Sequence, residues 1–544
     1  MGIYLNSISS YSLYKSEYTR PYFVDKSSLL KELIPLAEQG NAHICITRPR
    51  RFGKTVMANM IGAFFSKGVE SSDVFDWLQI SADKDYRKHL NQHNVIYIDF
   101  SKMPGNCKSY MEYITRIEER LKRDLLKVYS EIEIYPEDSL WDILESIFIE
   151  YNGQKFIFIF DEWDCIFHKN FVTEEDRQNY ISFLSNLLKD HVSLSYMTGI
   201  LPIAKYSSGS ELNMFIEYTM ASEEKFSEDF GFTESETDML YRRYLEICRN
   251  EGKTPYVTRE GLETWYDGYY AKNGERMYNP RSVVASLTNN NLDSYWTSSG
   301  PYDEIFYYVK NNVAEVRNDL AVMISGEGVP AKIKEYAATS MNLTTREEIL
   351  SAMVVYGFLS YYQGKVYIPN KELMDKFDEM LQKEASLGYV YRLAKESERM
   401  LKATLEKDTS TMEEILEYAH NTETPILSYN NEVELSSIVN LVYLCARDRY
   451  QVEREDKAGL GFVDFIFYPE NPADTGIILE LKVDHTADEA VQQIIDKKYN
   501  LRFSGKAGEK AKYTGEILAV GIGYNKKIKK HQCRVITLRK GTLY

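Results

Sequence analysis

The sequence predicts an α/β chain, with a parallel sheet around a phosphate-binding loop near its start and a smaller α/β layer at its end. Three observations carry this. The apolar run Ile44-Cys45-Ile46-Thr47 leads into Arg48-Pro49-Arg50-Arg51-Phe52-Gly53-Lys54-Thr55, a strand entering a basic loop. After Lys155, residues 156–160 form another continuous apolar run, and it ends on two carboxylates, Asp161 and Glu162. A strand buried on both faces reads this way, and ligands sit at its carboxyl end. Further on, residues 462–468 and 477–483 are apolar stretches flanking a turn-rich connection. They carry Asp464, Glu480 and Lys482 among residues that are otherwise largely apolar.

The first loop has the parts that a nucleoside triphosphate needs. Gly53 lets backbone N–H groups approach an anion, with Arg51 and Phe52 completing the turn. Lys54 supplies charge for the β- and γ-phosphates, and Thr55 supplies a hydroxyl for Mg²⁺. Residues 56–61 suit a helix whose N-terminus faces the loop. Arg48 departs from the G-x-x-x-x-G-K-[ST] template, which has glycine there. Asp161 is placed to hold Mg²⁺ and Glu162 to polarise the attacking water. Residues 94–100 and 193–200 read as further strands of the same sheet, the latter carrying Thr198 where a γ-phosphate-sensing group is expected. Helical segments at 110–130 and 175–190 separate them, as a parallel sheet requires. Four regions are expected: a loop-bearing core over 1–215, a helical and aromatic-rich region over 216–345, a helical layer over 346–424 and a final α/β domain over 425–544.

The 544 residues carry a net charge of −16, which excludes a general nucleic-acid coat. The charge is uneven: residues 482–544 hold 14 Lys/Arg against 6 Asp/Glu. That end includes Lys526, Lys527, Lys529 and Lys530, which read as phosphate contacts or as a solvated turn. The six cysteines are scattered without a C-x-x-C pair, which favours reduced thiols in the cytoplasm over zinc or disulfides. No apolar run reaches membrane-spanning length, and the N-terminus lacks the pattern of a secretory signal.

In the final domain the strand period of two puts Glu480 and Lys482 on one face. If Tyr468 pairs with Gly476, Asp464 lies opposite Glu480 and shares that face; a slip of one residue would remove it. Two carboxylates with open water positions make a Mg²⁺ site, with Mn²⁺ as an alternative. Lys482 can then orient a nucleophile or neutralise developing charge. An edge hairpin with solvated charges is the competing reading.

These residues carry a resemblance. The C-terminal region is similar to the PD-(D/E)XK nuclease superfamily, with Asp464 and Glu480-Leu481-Lys482 matching its D…E-x-K core. Glu434, with Glu432 as the alternative, matches the acidic position of the first helix, and Gln493 and Tyr499 match the Gln…Tyr helix element of one branch, at wider spacing. The whole chain resembles bacterial proteins that join an AAA-ATPase-like domain to such a domain. In them the loop commonly reads R-P-R-R-F-G-K-[ST], as here. Tyr22-Phe23-Val24-Asp25-Lys26, Asp161-Glu162-Trp163-Asp164, Trp265-Tyr266-Asp267-Gly268-Tyr269-Tyr270 and Tyr278-Asn279-Pro280-Arg281-Ser282 belong to the same set.

The resemblance implies a P-loop NTPase core of the ASCE/AAA type, a lid and winged-helix-like middle, and a nuclease-like end. It implies ATP and Mg²⁺ as cofactors and nucleic acid as partner, without a membrane; homo-oligomerisation stays open. Arg281 would be a sensor or finger-type arginine, or an ordinary capping arginine. The activity implied is a nucleotide-gated, metal-dependent phosphodiesterase, with defence or mobile-element biology as its setting. The alternative is a nucleotide switch whose nuclease-like domain only binds nucleic acid or a protein partner.

Overall fold

The computed structural model describes residues 2–538, except 136, 204–211, 221–223, 297–312, 325, 334–342, 344, 384–386, 388, 423–431, 459–460 and 505–512. The chain divides into two compact units, Met1–Ile305 with Pro330–Glu372, and Phe306–Val329 with Leu373–Tyr544.

The first unit is built on a five-stranded sheet. Its strands are β1 (Ala42–Thr47), β2 (Val95–Asp99), β3 (Phe156–Asp161), β4 (Val192–Gly199) and β5 (Ile216–Tyr218), in the order β2-β3-β4-β1-β5. Every pairing is parallel. All six residues of β3 are buried, as its unbroken apolar run requires. Helix Lys54–Phe65 leaves the loop after β1 and buries ten residues, among them Met57, Met60, Ile61 and Phe64. Helices Tyr110–Val128, Leu140–Glu150 and Glu174–Leu188 start at Ser109, Ser139 and Thr173, whose hydroxyls each accept from the N3 backbone N–H. The strands expected from sequence are present; β5 is short and polar and lacks the apolar signal that revealed the others.

Helices Glu234–Glu251, Arg259–Tyr266 and Pro280–Asn289 follow, with a small hairpin of β6 (Tyr269–Tyr270) and β7 (Arg276–Met277). Beyond them lie β8 (Val329–Pro330), helix Arg346–Tyr356 and the hairpin of β9 (Ser360–Tyr362) and β10 (Lys365–Tyr367). Gly268 adopts φ 96°, and a Cβ there would fall 1.9 Å from the Pro369 carbonyl oxygen. Only glycine lets these two segments meet.

The second unit holds a mixed sheet of β11 (Tyr450–Ala458), β12 (Gly461–Pro469), β13 (Gly476–Val483), β14 (Ile517–Asn525) and β15 (Lys530–Leu538), in that order. The β13–β14 pairing is parallel and the others antiparallel. Helix Ala487–Asp496 packs on β13 and β14. Gly521 and Gly523 make room for it: a Cβ on each would fall 2.2 Å from the Ala487 oxygen and 2.8 Å from the His485 oxygen.

Candidate functional site

The loop after β1 curls through two left-handed residues, Arg51 (φ 70°) and Gly53 (φ 88°). Nothing lies within 4 Å of a Cβ built on Gly53. The glycine is therefore needed for its backbone angle, and the loop's concave side stays clear. Lys54 is buried, and its ammonium donates to the Arg48 and Pro49 carbonyls at 3.0 Å each. Burial holds its pKa below the usual lysine range despite the Glu162, Asp164 and Asp161 carboxylates nearby.

Asp161 ends β3, fully buried. Burial, then the charges of Glu162 and Asp99, push its pKa up to about 7, opposed by a hydrogen bond from Thr55 and the charge of Lys54. Glu162 breaks the strand in the left-handed region (φ 51°), and its N–H donates to Asp161 Oδ1 at 3.1 Å. The break lets two successive carboxylates serve one site, which an extended strand would forbid.

A cavity of 570 Å³ opens over the loop. Arg20, Lys26, Arg50, Arg51, Lys54 and Arg281 line it, against the acids Glu17, Glu162 and Asp229. Tyr14, Tyr22 and Phe23 add aromatic surface. A cation-rich, partly aromatic cavity fits a polyanion carrying a planar base. Thr55, Glu162 and Arg281 reach it together; Asp161 meets it through Thr55.

Three residues in or beside the loop also carry structural contacts. Phe52 is 1% exposed and packs edge-on against Tyr269, anchoring the loop to the β6–β7 hairpin. Thr198 is buried and its hydroxyl donates to the Ile46 carbonyl at 2.9 Å, tying β4 to β1. Arg48 is 2% exposed and donates to the carbonyls of Thr47 (2.8 Å), Tyr218 (2.9 Å) and Phe226 (2.9 Å). The template glycine is replaced here by a structural clamp.

Asp164 carries weight that the sequence argument did not assign it. It is buried and accepts from the N–H groups of Ile200 (3.1 Å) and Leu201 (2.8 Å), while Trp163 Nε1 donates to the Leu201 carbonyl. The pair staples the end of β3 to the end of β4. The signal was a third acid so close behind Asp161 and Glu162, parted from them only by a tryptophan.

In the second unit, Phe465 faces Leu479 and Phe467 faces Ile477. This is the ladder in which Tyr468 opposes Gly476 and Asp464 opposes Glu480. Glu480 is 3% exposed. Its Oε1 accepts from Lys482 Nζ at 3.2 Å and from Gln493 Nε2. Its Oε2 is buried with no hydrogen-bond partner among the described residues. Asp464 Oδ2 accepts from the Leu481 N–H at 2.7 Å. Burial and then the Asp464 charge hold the Glu480 carboxyl well above the usual range, with Lys482 pulling the other way. Tyr499 OH lies 3.4 Å from Gln493 Nε2.

The Gln…Tyr helix element needs correction, because the helix that carries Gln493 does not reach Tyr499. It ends at Asp496, Lys498 turns left-handed (φ 54°) and Tyr499 opens a short 3₁₀ helix. On a continuous helix, positions six apart would diverge; the break brings Tyr499 back to Gln493. Glu434 lies in helix Glu432–Val442, and its side chain is outside what the structure describes. Among the described residues, no group of three or more His, Cys, Asp or Glu is placed to hold a metal ion. The pair Asp464 and Glu480 nonetheless suits a cation, because a buried carboxylate oxygen without a partner is stabilised by one.

Residues 7–208 match the family model described as "Predicted AAA-ATPase". Residues 432–530 match the one described as "PD-(D/E)XK nuclease superfamily". The chain joins an N-terminal AAA-ATPase-like domain to a C-terminal domain of the PD-(D/E)XK nuclease superfamily. No curated protein matches the chain. Among solved structures, the Aeropyrum pernix ORC2 protein in its ADPNP-ADP complexes is 12% identical, covering 65% of this chain and 94% of that one at a TM-score of 0.31. Its ADP form is 13% identical, covering 66% and 93% at 0.28. Likeness that low adds nothing to the fold described above. No described helix is long and apolar enough to cross a membrane.

Proposed function

We propose that the C-terminal domain is a divalent-cation-dependent nuclease and that the AAA-ATPase-like domain binds and hydrolyses ATP to govern it. The observation that carries the first half is the convergence of Asp464, Glu480, Lys482, Gln493 and Tyr499, with one Glu480 oxygen buried and unpartnered. Asp464 and Glu480, with Glu434 by resemblance, would hold the cation. A cation bound there neutralises phosphate charge and acidifies water. Lys482 orients the nucleophile and offsets charge on the phosphate. Gln493 and Tyr499 act through Glu480 by fixing its carboxylate.

In the other domain Lys54 would leave the loop carbonyls for the β- and γ-phosphates. Thr55 and Asp161 would hold Mg²⁺, which the raised pKa of Asp161 suits, because a cation replaces the missing countercharge. Glu162 would polarise the attacking water and Arg281 would face the phosphates from the lid side.

The test is incubation of the purified chain with plasmid, linear DNA and RNA, with and without Mg²⁺ or Mn²⁺, and with and without ATP. Cation-dependent cleavage that changes with ATP supports the reading. A chain that binds no Mn²⁺ and cuts none of these substrates overturns it in favour of a nucleotide switch.

A further inference from the structure

The turn joining β14 to β15 reads Asn525-Lys526-Lys527-Ile528-Lys529-Lys530, and all six residues are exposed. Ile528 is 66% exposed, against 41% for Ile495, 43% for Tyr418 and 45% for Leu501 in the same unit. A lone exposed isoleucine is ordinary. One at the apex of a turn with two lysines on either side is a different surface.

The turn is also firmly built. Asn525 Oδ1 accepts from the N–H groups of Lys527 (3.0 Å) and Ile528 (3.3 Å), and Lys529 closes the turn at φ 52°. Lys526 anchors it to the strand end beside it: its N–H donates to Asp484 Oδ1 at 3.0 Å and its ammonium lies 3.4 Å from Asp484 Oδ2. Lys530 is 3.1 Å from Glu417. Two of the four lysines are therefore spent as anchors. Lys527 and Lys529 have no ion-pair partner among the described residues.

Position gives the turn its meaning. β13 and β14 run parallel with Lys482 beside Gly523 and Val483 beside Tyr524. The turn thus projects from the end of the sheet that carries Lys482. At roughly 3.3 Å per residue it begins about 7 Å further on.

We propose that this turn grips duplex nucleic acid: Lys527 and Lys529 neutralise backbone phosphates, and Ile528 enters a groove as an apolar wedge at a base step. Lysines around an isoleucine also suit an anionic membrane surface. The shared sheet end with the carboxylate–lysine site favours nucleic acid, and to that extent the inference rests on the nuclease reading.

The experiment uses the full chain in chelator, so that binding is separated from cleavage. Affinity for a fluorescent duplex, the matching single strand and phosphatidylserine vesicles is measured across a salt series. A duplex bearing 2-aminopurine reports unstacking. Joint replacement Lys527→Ala and Lys529→Ala is expected to lower the slope of log affinity against log salt by about 1.8, since each lost phosphate contact contributes about 0.9. Ile528→Ala is expected to keep the slope and lose the 2-aminopurine brightening. An unchanged slope in the double variant, tighter binding to the single strand, or binding to vesicles without duplex overturns the inference. A chain that grips the duplex but never cuts it with Mn²⁺ overturns the nuclease reading alone; one that cuts while the slope is unchanged overturns the grip alone.

Discussion

The two domains each set two carboxylates and a lysine at a sheet, yet the settings are opposite in kind. At the loop, Lys54 is held by its own backbone carbonyls, and five further cations line the cavity against three acids. That surplus of positive charge awaits a polyanion. In the C-terminal domain, Lys482 bonds to Glu480 two residues away on its own strand, and one carboxylate oxygen is left over. What is lacking there is a partner for that oxygen, and in our proposal a cation supplies it. Backbone geometry makes the difference possible. A left-handed residue after β3 sets two consecutive acids at one site, whereas strand alternation and register gather Asp464 and Glu480. The same residue types therefore acquire different chemistry from local charge balance and from how the chain turns.

The contrast can be broken most sharply at the negative site. Asp464→Asn and Glu480→Gln are each expected to lower cation-dependent cleavage by about a thousandfold, on the order of 4 kcal/mol of transition-state stabilisation. Lys482→Ala should lose cleavage while keeping Mn²⁺ binding, read by gel assay beside calorimetry. Equal loss of Mn²⁺ binding in all three would erase the distinction between ligand and lysine.

At the positive site, Lys54→Ala is expected to weaken a fluorescent ATP analogue by about 10- to 100-fold, the worth of a charged hydrogen bond. Glu162→Gln should keep that affinity and slow turnover. An affinity unchanged by Lys54→Ala would break the polyanion reading.

Arg48→Ala should cost stability rather than ligand. It strands buried carbonyls on β5 and near Phe226, at about 3 kcal/mol in urea unfolding. A fully stable variant would show that the clamp is dispensable.

The smallest effect is in pH. A protonated carboxyl cannot ligate, so cation affinity rises as pH climbs through a raised pKa. Asp161 is pushed up to about 7 and Glu480 lies above its usual range. Calorimetry between about pH 6 and pH 8 should show Mn²⁺ affinity increasing at both sites, by at most about tenfold per pH unit and proton released. Flat affinity at either site would mean that its carboxylate is already ionised.

Much of this was legible in the sequence, for physical reasons. Strands β2 and β3 announce themselves because burial on both faces forces nearly unbroken apolar runs, whereas β1 and β4 carry His43, Ser193 and Ser195 among their apolar residues. The β12–β13 register was open to a slip of one residue in the sequence and is fixed by the observed ladder. What stayed hidden depends on contacts rather than pattern. Arg48 looks like a damaged loop until three carbonyls are seen around its guanidinium. Thr198 ties β4 to β1 through the Ile46 carbonyl, a contact that residue type and position alone do not reveal. Gln493 and Tyr499 meet only because the helix breaks at Lys498. β11 reads Tyr-Gln-Val-Glu-Arg-Glu-Asp-Lys-Ala, a charged edge strand with little apolar periodicity to betray it.

The central claim is that the loop site takes a polyanion together with its own cation, and the carboxylate–lysine site of the C-terminal domain takes a cation alone, each independently of the other. A crossed calorimetric titration tests it most directly: a non-hydrolysable ATP analogue and Mn²⁺, each into wild type, Lys54→Ala and Glu480→Gln. The account predicts that Lys54→Ala loses the nucleotide and keeps the Mn²⁺ site of the C-terminal domain, while Glu480→Gln does the reverse. Loss of both ligands in either folded variant, or of neither in both, would contradict it.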